Sequence, residues 1–202
     1  LFFQHSYIMK SPSSSSPSGS STRSAVHPRE FLMWGFLVSV FMLFAGLTSA
    51  FIVRRADGNW LQFELPMAFA VSTVLVVIST VTLELARRAT RRNEFGSLRL
   101  WLWATALLGL AFLGSQFYAY LQLTEQGIFL VGNPSGSFLY VISGMHALHI
   151  VAAVVAALVT LYQAYRLELH SKNLLGMRIL AIFWHFLTIL WLYLYTFLWW
   201  MH

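Results

Sequence analysis

Five apolar stretches, each as long as a bilayer's hydrocarbon core is thick, constrain this sequence more than any other feature. They run roughly from Phe31 to Val53, Pro66 to Ala86, Leu100 to Leu123, Phe138 to Tyr165 and Ile179 to Met201. A helix needs about 20 predominantly apolar residues to cross that core. Backbone groups in lipid must be satisfied within the segment, so runs this long read as helices rather than as the short alternating strands of a barrel. The expected fold is an all-α integral membrane protein, a five-transmembrane-helix bundle. Only 10% of the residues are charged, against about 25% in soluble domains, so the solvent must be largely lipid. A net charge of +6 would point to nucleic acid if it formed a stripe on a polar fold. Here the basic residues lie between apolar blocks, where anionic headgroups are the natural partner, and no nucleic acid is expected.

The Lys and Arg residues set the expected orientation. Lys10, Arg23 and Arg29 precede the first span, Arg87, Arg88, Arg91, Arg92 and Arg99 flank the second connection, and Arg166, Lys172 and Arg178 flank the fourth. Of the 13 in the chain, only Arg54 and Arg55 fall on the other side. By the positive-inside rule the N-terminus is cytoplasmic and the C-terminus lies outside, periplasmic in a bacterial inner membrane. Aromatic belts are expected from Trp101 and Trp103 on helix 3 and from Tyr195, Trp199 and Trp200 on helix 5. Pro66 suits the first turn of helix 2, and Gly132, Asn133, Pro134 and Gly136 read as the break before helix 4.

Residues 1–28 form a Ser/Pro-rich tail, KSPSSSSPSGSSTRSAV at its heart, which is expected to be disordered; residues 29–202 form the membrane domain. The tail has no apolar run or cleavage site of a signal peptide, so the first helix should be retained. The first methionine is Met9; either an alternative start codon was used or the native chain begins there. There are no cysteines, which excludes disulfides, iron–sulfur clusters and thiolate metal sites.

Lipid tails are as apolar as leucine, so the helices must associate through small residues and polar groups. Gly35, Ser39, Gly46 and Ala50 share a face of helix 1, and Ala152, Ala153, Ala156 and Ala157 offer another on helix 4; both read as packing seams. Gln116, Tyr118 and Tyr120 on helix 3 and Ser72, Ser79, Thr80 and Thr82 on helix 2 are placed to bond between helices. Glu84, with Arg87 and Arg88 three and four residues on, reads as an interfacial ion pair.

Ionisable residues within spans are costly, hence functional candidates. Helix 4 carries His146 and His149 in GMHALHI, and helix 5 carries His185 in FWHF. Two readings stand: the imidazoles cross-link the bundle through hydrogen bonds, or the three converge on a haem or metal. The absence of buried carboxylates to orient them favours the first. Nothing forms a nucleophile–base pair, a phosphate loop or paired carboxylates, so a non-catalytic membrane subunit is expected, with no cofactor or metal in this chain.

The order of motifs resembles the subunit III family of haem-copper cytochrome c and quinol oxidases, in its five-helix form. HPREFLMWGFLVSVFMLFAGLTSAF is similar to that family's first helix in such members, ELPMAFAVSTVLVVISTVTLELA to the second, LGLAFLGSQFYAYLQL to the third, GSFLYVISGMHALHIVAA to the fourth, and FWHFLTILWLYLYTFLWW to its closing WHF signature. The resemblance spans about residues 27 to 202 and implies a subunit without redox centres. It would dock on subunit I beside subunit II and a small subunit IV, with haems and copper held by subunits I and II. It further implies bound phospholipid and participation in oxygen reduction coupled to proton pumping within a respiratory assembly, possible supercomplexes included. His146, His149, Trp184 and His185 are the implied structural or lipid-lining residues, and Arg166 an implied headgroup anchor. Acidic residues of the family pattern are replaced by Val40, Ala119 and Thr188, and a further one by Arg178, which argues against a proton-collecting role. A haem-b carrier using the three histidines and a small transporter or lipid-handling protein are the competing classes; the latter lacks the repeated halves and broken helices usual in transporters.

Overall fold

The computed structural model describes residues 28–58, 60–61, 65–166 and 175–201. The tail before Pro28, and Lys172 with it, lies outside the described residues. These fold into five helices: α1 (Pro28–Ala56), α2 (Met67–Arg91), α3 (Phe95–Glu125), α4 (Pro134–Tyr165) and α5 (Leu175–Trp200). Even the shortest, at 25 residues, outspans a hydrocarbon core of about 30 Å at about 1.5 Å per residue. All five are long and apolar enough to cross a membrane, and the chain is a multi-pass membrane protein.

The helices overrun the apolar runs at their ends, because polar residues continue a helix into the headgroup layer. Thus α3 begins at Phe95 rather than near Leu100. Pro66 lies just outside α2 as its N-cap, in extended conformation. Pro134 and Gly136 do not break the chain; they form the first turn of α4, capped by the Asn133 side chain, which accepts from the Ser135 amide. Two helices end in the same device. Asn93 (φ 55°) after α2 and Gly127 (φ 76°) after α3 adopt the left-handed conformation. In each, the next amide reaches back to a carbonyl five residues earlier, Glu94 to Ala89 and Ile128 to Leu123, closing a Schellman motif.

Four helices close a ring. α2 packs on α3 and α5, α4 packs on the same two, and α1 stands outside, leaning only on α4 and α5. The packing face expected on α1 is corrected here: Gly35, Ser39, Gly46 and Ala50 are exposed, and a Cβ added at Gly35 or Gly46 would meet nothing within 4 Å. α1 buries Leu37, Val40, Phe44, Thr48 and Phe51 instead, a stripe with equally helical spacing. On α4 the expected seam holds in part: Ala153 and Ala157 are buried, Ala156 half-buried and Ala152 exposed.

Candidate functional site

The ring is filled by one side chain from each of its helices. Phe69 of α2 stacks on Trp191 of α5 (centroids 6.2 Å), Phe112 of α3 meets the same indole edge-on (5.1 Å), and His146 of α4 stacks against it (4.9 Å). Phe44 of α1 reaches in edge-on to His146 at 6.3 Å. None of the five is measurably exposed. Aromatic pairs of this geometry add about 0.5–1.5 kcal/mol beyond burial, so the plug pins all five helices at one level.

A second layer lies nearer the arginine-rich end. Trp184 of α5 crosses the ring; its indole N–H donates to Ser79 Oγ of α2 (3.0 Å), and its far edge rests on α3 at Gly109. A Cβ there would come within 2.7 Å of Val154 Cγ2 on α4 and 3.0 Å of Trp184 Cη2. Glycine is required because two large side chains already fill the space a methyl would take.

The expected bonds between helices form almost entirely along the inner face of α2. Ser72 accepts from Gln116 (2.8 Å), Thr80 pairs with Thr188 (2.8 Å), and Thr82 with Thr105 (2.9 Å). Tyr120 donates to Ser143 on α4 (3.0 Å); Tyr118, expected to join in, is exposed. Thr188 stands where the resemblance expects an aspartate, and Val40 and Ala119, at two further acidic positions, are buried. Sequence reasoning missed Gly109, Thr73, which accepts from the Trp191 indole (3.0 Å), and Thr48, which accepts from Tyr193 (3.2 Å). The small residue of LGL opposite the tryptophan of FWHF was the available signal for the first.

The three histidines do not converge. His146 sits inside the plug. His149 is half-buried beside Phe44 and Phe36, its Nδ1–H donating to the Met145 carbonyl (2.7 Å). His185 makes the same bond to Ala181 (2.6 Å). It lines an apolar groove of about 460 Å³ with Trp34 and Leu37 of α1, Ile182 and Ile189 of α5, and Arg87 of α2. Among the described residues, no three His, Asp or Glu side chains gather closely enough to hold a metal ion.

The charged groups lie at the helix ends. Glu84 holds Arg87 at 2.9 Å and Arg88 at 3.7 Å, the ion pair expected from their spacing. Glu30 at the start of α1 meets Arg178 of α5 at 3.2 Å. Arg166 caps α4, exposed, with its guanidinium over the Tyr162 ring at 5.1 Å.

Comparison with known proteins bears on this architecture. The sequence signature of the family described as cytochrome c oxidase subunit III matches residues 59–202. The chain is 31% identical over 170 residues to the probable cytochrome c oxidase subunit 3 of Mycobacterium bovis, covering 82% of this chain and 83% of the relative. It is 29% identical over 168 residues to cytochrome c oxidase subunit 3 of Corynebacterium diphtheriae, covering 79% and 82%. Cytochrome bo(3) ubiquinol oxidase subunit 3 of Pseudomonas aeruginosa is 32% identical over 174 residues, 82% of this chain and 81% of its own length. A match over more than half the chain, on a bundle whose interior is occupied by interlocking aromatic and hydroxyl side chains, places it: the chain belongs to the cytochrome c oxidase subunit III family.

Proposed function

We propose that this chain is the non-catalytic third subunit of a respiratory haem-copper oxidase in a bacterial inner membrane, with its N-terminus cytoplasmic. It sits against subunit I, with subunit II in the same complex, and stabilises the core that reduces oxygen. The observation that carries the reading is the use made of the interior. Within the ring, Ser72, Ser79, Thr80, Thr82 and Thr188 are spent on joining helices or on their own backbone, and among the described residues the only buried Asp, Glu, Lys or Arg is Glu30, at the start of α1. Such an interior can brace a partner, and its imidazole, His146, is enclosed among aromatic rings rather than set beside a nucleophile.

The groove between α1 and α5 offers a place for phospholipid. Its walls are apolar along an acyl chain's path, and Arg87, half-exposed at one end, offers a cation to a phosphate while still paired with Glu84. Arg166, at the same side of the bundle by its place in the chain, is a second headgroup contact.

Tagging the chain, extracting it in mild detergent and identifying what accompanies it tests the reading. A larger subunit with bound haem and copper should co-purify, and the complex should consume oxygen with reduced cytochrome c as donor. Purification of the chain alone from respiring membranes would overturn the proposal. Oxygen consumption with quinol and not with cytochrome c would move it to the quinol branch, to which the Pseudomonas relative's name belongs.

A further inference from the structure

We propose that the seam between α3 and α4 holds one buried water, bridging the His146 ring to the amide oxygen of Gln116. The His146 side chain is fully enclosed, yet neither ring nitrogen meets a protein donor or acceptor. A neutral imidazole carries one N–H and one lone pair, and the rings around it, Phe44, Phe112 and Trp191, supply neither. Buried polar groups without a protein partner are rare and are characteristically met by ordered water.

Gln116, 1% exposed, presents the complementary vacancy in bonding. Its Nε2 donates to Ser72 Oγ (2.8 Å), and Ser72 spends its own proton on the Phe69 carbonyl (2.8 Å). That fixes which end of the amide faces Ser72 and leaves Oε1, also buried, with no donor. The register brings the two residues to one level. α3 and α4 run antiparallel; Phe112 meets His146, and two turns along Tyr120 donates to Ser143. Gln116 lies one turn from each on the same face of α3, and so opposite the turn from Ser143 to His146. In that turn Gly144 presents no side chain; a Cβ there would meet only Tyr120 Oη, at 3.9 Å.

The neighbouring hydroxyls have no proton to spare for Gln116 Oε1. Tyr120 gives its proton to Ser143, and Ser143 gives its own to the Leu139 carbonyl (2.6 Å). A water supplies what is missing: one O–H donates to Gln116 Oε1, and the molecule then either donates to the bare ring nitrogen or accepts from the ring N–H. An ion is disfavoured because the groups facing the seam are neutral. The inference does not depend on lipid in the groove, whose lining includes neither His146 nor Gln116.

The test is water-edited solid-state NMR on the full-length chain with its co-purifying subunits in lipid nanodiscs, with histidine ring nitrogens labelled with ¹⁵N. One ring signal should receive magnetisation from a slowly exchanging water, vanish in His146→Phe, and lose that transfer in Gln116→Leu. Ser72→Ala, which removes only the other amide partner, should retain it. A His146 signal without transfer, or one unchanged by Gln116→Leu, overturns the proposal. If these variants fail to assemble, a cryo-EM map of the unaltered complex decides. Density within hydrogen-bonding distance of both groups supports the water, and continuous apolar contact without it removes the idea.

Discussion

The ring of α2 to α5 and the outlying helix α1 are all apolar enough to cross a membrane yet are held by different means. In the ring, hydroxyl and indole groups bond from helix to helix at successive levels, from Thr82–Thr105 through Trp184–Ser79 and Thr80–Thr188 to Trp191–Thr73. α1 is fastened mainly by rings and at its ends. Phe36 meets Phe183, Phe51 packs among Trp60, Phe138 and Phe197, Glu30 pairs with Arg178, and among the described residues one hydroxyl bond, Tyr193 to Thr48, joins α1 to the ring. The α1 span is 28% buried where that of α5 is 50%. The ring is therefore the unit that specifies one structure, since each hydroxyl bond demands a register, whereas α1 is attached by contacts that tolerate sliding.

The sharpest way to break this contrast is at Trp184. Trp184→Ala removes both the indole bond to Ser79 and the volume that joins three helices, and should cost about 3–5 kcal/mol. The loss would appear as a fall in the unfolding midpoint of the purified complex in detergent. Trp184→Phe keeps most of the volume and should cost only the hydrogen bond, about 0.6–2 kcal/mol. Equal losses would show that the bond and not the packing fixes the layer. Next in size is Gly109→Ala, whose methyl would lie 2.7 Å from Val154 Cγ2; overpacking of this kind costs about 1–3 kcal/mol.

How much of this was legible beforehand depended on whether a residue's chemistry carried its own direction. The five spans, the Glu84 pairs and the hydroxyls of α2 were readable, because length, i,i+3 spacing and polar atoms within lipid each admit few solutions. Gly35 and Gly46 were not, because the apolar stripe from Leu37 to Phe51 is as regular as the small-residue stripe, and lipid gives no polarity difference to choose between them. Gly109 escaped for the converse reason. It belongs to no stripe, and its role exists only through Val154 and Trp184, 45 and 75 residues away. The gathering of Phe69, Phe112, His146 and Trp191 likewise comes from the ring's closure, which no one segment encodes. The histidines stood out as ionisable residues within spans, but spacing along α4 could not show that His146 turns into the plug, nor spacing along α5 that His185 opens onto a groove.

At the arginine-rich end, Glu30→Gln should loosen α1 by no more than about 1 kcal/mol, because its partner Arg178 is largely exposed and solvent screens the pair. The effect should shrink further at high salt. Hydrogen exchange resolves where it acts: amides of the first turns of α1 should exchange faster while those of α2 and α3 stay unchanged. Acceleration spread through the ring would mean that α1 is an integral strut and not an attachment.

The smallest expected effect discriminates most cleanly, because it applies one chemical change to both regions. Gly46→Ala adds the same methyl as Gly109→Ala, but on the open face of α1, where it meets nothing within 4 Å. With no clash to offset it, the gain in helix propensity should leave stability unchanged or raised by about 0.5–1 kcal/mol, opposite in sign to the loss at Gly109. The comparison belongs on the purified chain, where the two variants share one detergent and one unfolding protocol. A cost at Gly46 matching that at Gly109 would place α1's small-residue face in contact with protein, and the division of the bundle into a specifying ring and an attached helix would fall.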